Sequence, residues 1–299
     1  MITVCLATYN GEKYLKEQIE SLLNQTYKEF QILALDDCST DSTINILKFY
    51  NIKTLEIEKN NGPSSSFSTL LSHALNDTKN HYFMFCDQDD IWEKDKIEKE
   101  YKLMKEQESL YPNTPLLIHT DLTVVNENLE KISDSFIKYQ NLNPSQTKLN
   151  KLLLQNIITG CTIMINRELA LLSSPFPKEV IMHDWWIALV ATTFGRIFYL
   201  PEATIKYRQH NSNKIGAKGF NIQYILSKID KKHTLQKNYT QTTLFRKRYK
   251  NDLTTKEQDI LDNFISLQNS SFLKKRVKLF KYQFFKHGFI RNIGLFFKI

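Results

Sequence analysis

The amino-acid sequence predicts an α/β fold: a doubly wound, mainly parallel sheet flanked by helices. Two observations carry that expectation. Over the first 110 residues, short β-rich apolar runs alternate with stretches whose apolar residues recur at helical spacing. Three of those runs end in polar clusters, Thr8-Tyr9-Asn10, Asp36-Asp37 and Asp87 to Asp90. A parallel sheet brings such strand ends to one edge, where ligands bind in open α/β folds.

In chain order, Ile2 to Ala7 is the first strand. The turn Thr8-Tyr9-Asn10-Gly11 leads to a helix carrying Leu15, Ile19, Leu22 and Leu23 inward. Phe30 to Leu35 is a second strand, and Ser39, Thr40 and Asp41 are candidate caps for a helix with Ile44, Ile46 and Leu47. Thr54 to Glu58 alternates as a shorter strand. After the turn Asn60-Asn61-Gly62-Pro63, the residues Phe67, Leu70, Leu71, Ala74 and Leu75 trace one helix face. Tyr82 to Cys86 is the fourth strand, and a charged helix follows with Ile97, Tyr101 and Met104 as its buried stripe.

The middle of the chain changes character. Leu116 to Thr120 and Leu122 to Val125 read as strands broken at Asp121, and residues 134–146 read as loop. Gln155 to Ile165 mixes a loop with a strand. His183-Asp184-Trp185-Trp186 opens a helix with Ile187, Val190, Ala191 and Phe194 on its apolar face. Short strands at Arg196 to Leu200 and Thr204 to Tyr207 precede Arg208-Gln209-His210-Asn211-Ser212-Asn213. Beyond about residue 220 the chain reads as polar, then basic, helices.

With 41% hydrophobic and 24% charged residues, the composition is that of a globular protein with a substantial core. No stretch approaches the ~18 uncharged apolar residues of a spanning helix. The N-terminus shows no basic start followed by an apolar block, so no secretory signal is expected. Cys5, Cys38, Cys86 and Cys161 lie far apart without a CxxC pair. They read as small core residues of a reducing compartment, not as a disulfide or zinc framework. The net charge of +8 equals the eight cations of residues 271–299, which contain no acid, so the first 270 residues balance.

The acid cluster is the chemical focus. Asp87, Asp89 and Asp90 would repel one another in a folded protein unless a cation sits among them. A hard divalent ion takes oxygen ligands and bridges carboxylates to phosphates. The alternative is a solvated turn with acidic capping of the next helix.

Taken together, these blocks resemble the family-2 glycosyltransferases, which have the GT-A fold. The resemblance covers about residues 1–215. It is carried by Ala7-Thr8-Tyr9-Asn10-Gly11, Leu35-Asp36-Asp37-Cys38-Ser39-Thr40-Asp41, Asp87-Gln88-Asp89-Asp90, Gly160-Cys161-Thr162, His183-Asp184-Trp185 and Tyr207-Arg208-Gln209-His210. Each block is weak alone; their order and spacing make the set specific. The His183 and Tyr207 blocks look like rhamnosyltransferase-type members that build bacterial surface polysaccharides. The expected organisation is a GT-A domain over 1–220, with a nucleotide-binding half (1–110) and an acceptor half (111–220). A basic, amphipathic helical region follows over 221–299.

The resemblance implies that Thr8, Tyr9, Asn10 and Glu12 line the nucleotide pocket with Gln88, and that Asp37 reads the pyrimidine base; Asp36 and Asp37 read otherwise as helix caps. It implies Mg²⁺ or Mn²⁺ held by Asp87 and Asp89 against a diphosphate, and Asp184 as the catalytic base of an inverting transfer. Asp184 is also placed as a helix N-cap, and the two roles are compatible. Asp90 contacts the donor sugar or caps the next helix. His210 is a metal ligand, a diphosphate contact or a surface histidine; Arg208 and Lys214 are candidate diphosphate cations. Asn156, Thr159 and Gly160 are placed near the acceptor by family analogy, with His119 and Asp121 less firmly so. Trp185 stacks on a sugar or fills the core, and core is the expectation for Trp186. His183 stands where many family members carry an acid, which leaves its role open.

The implied activity is transfer of a sugar, L-rhamnose from dTDP-L-rhamnose, to a saccharide or lipid-linked acceptor in capsule or O-antigen synthesis. The alternatives are a UDP-hexose-dependent enzyme of the same family and a non-catalytic carbohydrate- or membrane-binding subunit. A sugar-1-phosphate nucleotidyltransferase would need a Gly-rich basic loop where Thr8-Tyr9-Asn10-Gly11-Glu12 stands. The tail interleaves Phe272, Leu273, Val277, Phe280, Phe284, Phe289, Ile290 and Ile293 with its cations, a pattern of membrane-surface helices. The expected location is cytoplasmic, peripheral at the inner face of the cell membrane. The alternative is that the aromatic face packs on the catalytic domain. Nucleic acid is not an expected partner, because the body is neutral and no recognition module is present.

Overall fold

The computed structural model describes residues 1–210 and 235–299, apart from the side chains of Phe297 and Lys298. The candidate cation Lys214, the loop residues Asn211-Ser212-Asn213 and the boundary expected near residue 220 lie outside the described residues.

The first half follows the alternation in its sequence. Its elements are β1 (Ile2–Thr8), α1 (Leu15–Leu23), β2 (Phe30–Asp36), α2 (Thr43–Phe49), β3 (Lys53–Glu56), α3 (Pro63–Leu75), β4 (Tyr82–Cys86), β5 (Ile91–Trp92) and α4 (Lys96–Leu110). The second half continues with β6 (Leu116–Asn126), β7 (Lys131–Ser133), α5 (Phe136–Tyr139), α6 (Leu149–Leu152), β8 (Ile163–Asn166), α7 (Arg167–Ser173), α8 (His183–Phe194) and β9 (Arg196–Gln209). The strands form one mixed sheet in the order β3-β2-β1-β4-β8-β6-β9-β5, with β7 on β6. The β3-β2-β1-β4 pairings and the β6-β9 pairing are parallel, whereas β8 runs antiparallel to both β4 and β6.

Burial on both faces explains the unbroken apolar runs. Val4, Cys5 and Leu6 of β1 and Phe83 to Cys86 of β4 have no solvent exposure. Helices cover them with the spacings read from the sequence: Leu15, Ile19 and Leu22 of α1, and Phe67, Leu70, Leu71 and Ala74 of α3. Leu23 was expected inside and is exposed. It follows Leu22 by one residue, which rotates it about 100° off the buried stripe.

The breaks expected at Asp121 and after Leu200 are irregularities within continuous strands. The β6–β9 ladder pairs Thr120 with Leu200 and then Asp121 with Ala203, so Pro201 and Glu202 bulge out. Proline has no N–H to give the ladder, and the strand skips it instead of ending. The expected loop at 134–146 contains the single turn α5.

Residues 1–136, 158–176 and, among the described residues, 182–210 form one compact unit that carries the sheet. Residues 137–157, 177–181 and 235–299 cluster as a second, helical unit. Its longer helices are Gln236–Arg248, Thr255–Ile265, Phe272–Lys281 and Phe289–Lys298. Thr254 and Glu257 close a capping box at the start of the second. Phe245, Leu261, Phe264, Leu267, Leu279 and Phe284 are fully buried within this unit. The basic tail is thus two helices, parted at Gly288, whose φ of +89° suits a residue without Cβ. Arg276 is buried and donates to the carbonyls of Phe272 and Phe296, tying the two helices together. Phe272, Leu273, Val277, Phe280, Phe289, Ile290 and Ile293 stay exposed. No helix among the described residues is long and apolar enough to cross a membrane.

Candidate active site

The parallel register sets Thr8 opposite Asp36 and Leu6 opposite Cys86, so the polar ends of β1, β2 and β4 share one edge. There the turn after β1 is tied to both neighbours. Thr8 Oγ1 donates to Asp36 Oδ1 at 2.9 Å. Asn10, at φ +47°, donates its N–H to Ser39 Oγ and accepts the Thr40 N–H. Glu12 accepts the Ser42 N–H while its own N–H goes to Asp41. Gln88 pairs with the Tyr9 backbone in both directions, accepting its N–H at 2.8 Å and donating to its carbonyl at 3.0 Å. Gln88 therefore locks the acid turn onto the β1 turn, and an added Cβ on Gly11 would lie 2.3 Å from its Oε1.

Asp36 and Asp37 are buried and divide their work. Asp36 accepts from Thr8 and from the Ser39 hydroxyl and N–H. Asp37 accepts the N–H groups of Asn61 and Gly62, one on each oxygen at 2.8 Å, just before α3. A carboxylate oxygen has room for a second donor, so the carboxylate is fixed in orientation but not saturated.

The acid turn runs from Asp87 to Asp90 between β4 and β5. Burial first, then the charges of Asp89 and Asp184, pushes the Asp87 carboxyl up to about 7. Asp184, in the first turn of α8, is therefore within the field of the turn. Asp90 is fully buried. Its Oδ1 accepts the Arg208 N–H at 3.1 Å, and burial with the charges of Asp89 and Asp87 pushes its carboxyl well above the usual range. The ligand atoms of Asp87, Asp90 and Cys161 lie within 4.8 Å of one another and could hold a metal ion.

The end of β9 backs this turn. Arg208 donates through Nε to the Asp89 carbonyl at 2.9 Å, through Nη1 to the Glu127 carbonyl at 2.7 Å and through Nη2 to Glu17. Its guanidinium lies over the Tyr14 ring at 4.5 Å. These bonds hold the backbone of the acid turn. His210 Nε2 lies 2.8 Å from Asp89 Oδ2, and its ring packs on Tyr14 at 4.7 Å.

At the start of α8, Asp184 accepts the Trp185 N–H at 2.6 Å, while Met182, not Asp184, occupies the N-cap position. His183 is buried against Phe67 and Phe85, with ring centroids at 4.1 and 5.2 Å. Neither of its ring nitrogens has a hydrogen-bond partner, and burial holds its pKa down to about 3, so the imidazole is neutral. Gly160 lies against it: a Cβ there would sit 2.5 Å from His183 Nε2. Trp185 is partly exposed, whereas Trp186 is fully buried and donates Nε1–H to the Ser173 carbonyl. The Thr159 carbonyl accepts the Thr162 N–H and hydroxyl, closing the turn that places Gly160.

Of the remaining candidates, His119 is buried on β6 with Nε2 lacking a partner, and burial holds its pKa down to about 3. Asp121 accepts the Leu122 N–H and the Ser135 hydroxyl. Asn156 belongs to the helical unit. Sequence reasoning missed Tyr14, whose ring lies against Arg208 and His210, and Glu17, which accepts from Arg208; helical spacing marks Leu15 and Ile19 but gives polar neighbours no distinguishing signal. Cys161 reads from the sequence as a small core residue and as part of the Gly160-Cys161-Thr162 block, with no sign of its neighbours Asp87 and Asp90.

A family profile described as "Glycosyl transferase family 2" matches residues 3–170. The chain is 28% identical over 228 residues to "dTDP-rhamnosyl transferase RfbG" of Shigella flexneri, covering 71% of this chain and 74% of that protein. Among solved structures, S. aureus TarS 1-349 in complex with UDP-GlcNAc superposes with a TM-score of 0.60 at 21% identity, covering 94% of this chain and 72% of that one. Against the longer TarS structure the TM-score is 0.58 at 21% identity, covering 91% of this chain and only 44% of that one. The mannosyltransferase PcManGT from Pyrobaculum calidifontis, in complex with GDP-Man and Mn²⁺, gives 0.55 at 16% identity, covering 93% and 72%.

Proposed function

The chain belongs to glycosyl transferase family 2 and is a glycosyltransferase, and from that premise we propose an inverting, metal-dependent transfer from a nucleotide-activated sugar in bacterial surface-polysaccharide synthesis. The proposed donor is dTDP-L-rhamnose and the acceptor a saccharide or lipid-linked sugar, in line with the name of the Shigella relative. The observation that carries the mechanism is the approach of two acid groups from distant elements. Asp184 on α8 adds its charge to the field that raises Asp87 at the end of β4.

The residues present fit a divalent cation, because the donor set is rich in carboxylates, and burial followed by the charges of Asp89 and Asp184 holds Asp87 near 7 in the absence of a cation. Asp87 and Asp89 would hold the ion, with His210 at hydrogen-bond distance from Asp89. When bound, such an ion supplies Lewis-acid neutralisation of charge on a leaving diphosphate. Asp184 takes the proton of the acceptor hydroxyl as that oxygen attacks the anomeric carbon, on the face opposite the diphosphate. Asp37 has lone-pair capacity for the N3–H of thymine or uracil, and the β1 turn with Gln88 forms the wall beside it. Arg208 holds the acid turn through the Asp89 carbonyl.

The tail supports a peripheral position at the inner face of the membrane, because its cations accompany an exposed apolar face. The mechanism is tested by transfer from dTDP-L-rhamnose, UDP-sugars and GDP-sugars with and without EDTA, in wild type, Asp89→Ala and Asp184→Asn. Metal-dependent transfer lost in both variants supports the reading; full transfer in both sinks it. Activity restricted to a UDP-sugar would transfer the assignment to the UDP-hexose reading.

A further inference from the structure

Beyond a hard-cation role for the aspartates, the acid turn meets a thiol. Cys161, in the turn before β8, is fully packed beneath the turn, because β8 runs antiparallel to β4 and brings its own start to the end of that strand. Its sulfur and carboxylate oxygens of Asp87 and Asp90 all lie within 4.8 Å of one another. Asp90 supplies a second, independent sign of a ligand. Its side chain has no solvent exposure, Oδ2 receives no N–H or O–H donor, and the Cys161 thiol is its hydrogen-bonding neighbour. In its ionised form an oxygen so placed is expensive unless a cation completes it. Lys96, the buried ammonium at the start of α4, pairs with Glu100 instead.

We propose that Asp87, Asp90 and Cys161 form a site for a thiophilic divalent cation of the Zn²⁺ class. Sulfur selects such ions, whereas an all-oxygen set suits Mg²⁺ and Mn²⁺. Ligand atoms around tetrahedral Zn²⁺ stand about 3.3–3.8 Å apart, so closing the set takes about 1 Å of side-chain movement. Three protein ligands leave the fourth position for water or a substrate oxygen. Binding releases to solvent the thiol proton and the protons held by the raised Asp90 and Asp87 carboxyls, leaving thiolate and carboxylates as ligands, so no oxidant or reductant is involved. Asp87 is the partly exposed member of the set. Because Asp87 also belongs to the hard-cation set, the two ions exclude each other, and a thiophilic ion acts as an inhibitor of transfer. That last consequence rests on the proposed function; the site itself does not.

The test is titration of Co²⁺ into the reduced full-length protein, without donor or acceptor, read by thiolate-to-metal charge-transfer absorption. A Cys38→Ser background removes the partly exposed thiol. The band is expected to saturate near one equivalent, to persist in Cys86→Ser, to vanish in Cys161→Ser and to be bleached by Zn²⁺. Circular dichroism and a thermal melt verify that each variant is folded. Should Cys161→Ser not fold, Asp90→Asn keeps the thiol and removes a ligand, and the band is expected to be lost or to need at least tenfold more Co²⁺. Absence of a band in the folded background protein overturns the proposal, as does a band unchanged in Cys161→Ser or in Asp90→Asn.

Discussion

His210 Nε2 sits 2.8 Å from Asp89 Oδ2, joining the end of β9 to a turn 121 residues earlier in the chain. The Tyr14 ring packs on the imidazole and also lies under the Arg208 guanidinium, which helps fix how the two residues meet. A partner that orients a metal-binding carboxylate is typically worth about 10–100-fold in metal affinity. His210→Ala is therefore expected to weaken Mn²⁺-dependent binding of dTDP or UDP by about that factor. Calorimetric titration with and without Mn²⁺ checks it; an unchanged affinity would remove His210 from the site.

Asp184→Asn keeps the shape of the side chain and can still accept the Trp185 N–H, so α8 is expected to fold. What it loses is the ability to take a proton. Transfer should fall by about 10²–10⁴-fold with donor affinity nearly unchanged. Steady-state kinetics beside nucleotide titrations separates the two; a matching loss of donor binding would point to a positioning role.

The Asp87 carboxyl, raised to about 7, gives a pH dependence whose sign follows directly. Its folded-state pKa exceeds the unfolded value of about 3.9, so the fold disfavours the ionised form. Stability of the metal-free protein is then highest at low pH as far as this group is concerned, and falls as pH rises from about 4 through 7. Divalent-ion affinity runs the other way and rises through the same window, since the ion needs the carboxylate. Asp87→Asn should flatten the stability slope and raise the melting temperature at pH 8 in EDTA by about 2–4 °C. Melts at pH 5 and pH 8 decide the point, and a lower melting temperature at pH 8 would contradict it.

Gly160 and His183 form a close contact that side-chain exchange can probe. Gly160→Ala puts a methyl group 2.5 Å from His183 Nε2, and the imidazole is boxed in by Phe67 and Phe85. The expected cost is about 1–3 kcal/mol from overpacking. Adding His183→Ala should recover part of it, because the two sites are in contact and their effects do not add. Denaturant unfolding of the two single variants and the double variant measures the coupling; additive effects would show that the neighbour yields freely.

The tail prediction uses the exposed face instead of truncation, since Leu279 and Phe284 are core residues of the helical unit. Phe272→Ser with Leu273→Ser and Phe289→Ser should abolish sedimentation with phosphatidylglycerol vesicles and leave the melting temperature within a few degrees. Each cation near an anionic surface contributes about 1 kcal/mol, so binding should also weaken with salt. Equal sedimentation of wild type and variant would take the apolar face out of the interaction.

Much of the fold was legible because burial on two faces leaves a plain mark. Runs such as Tyr82 to Cys86, and the Leu70, Leu71 and Ala74 spacing, admit few other arrangements. Within the candidate site, the strand-end clusters at Thr8, Asp36 and Asp87 were legible for the same reason, since parallel strands bring their ends together. Irregular features were not. Pro201 marks a bulge in β9 and not its end, because the ladder resumes beyond it, and the sequence carries no sign of that resumption. Leu23 looks as apolar as Leu22, and only rotation about the helix axis separates them.

The sequence by itself determined the αβ alternation, the acid turn and the resemblance on which the activity rests, all of them local patterns or ordered blocks. Tertiary structure decided which side chains those patterns meet. Arg208 was a candidate for the diphosphate and is bonded to Asp89, Glu127 and Glu17. Asp37 was a candidate for the pyrimidine base, or else a cap for the next helix, and its carboxylate accepts N–H groups ahead of α3. Cys161 was part of a matching block and lies against Asp87 and Asp90. The physical reason is common to the three. Hydrogen bonds act over about 3 Å and Coulomb forces weaken with distance, and which groups come close is set by strand order and register, which link residues dozens to hundreds of positions apart.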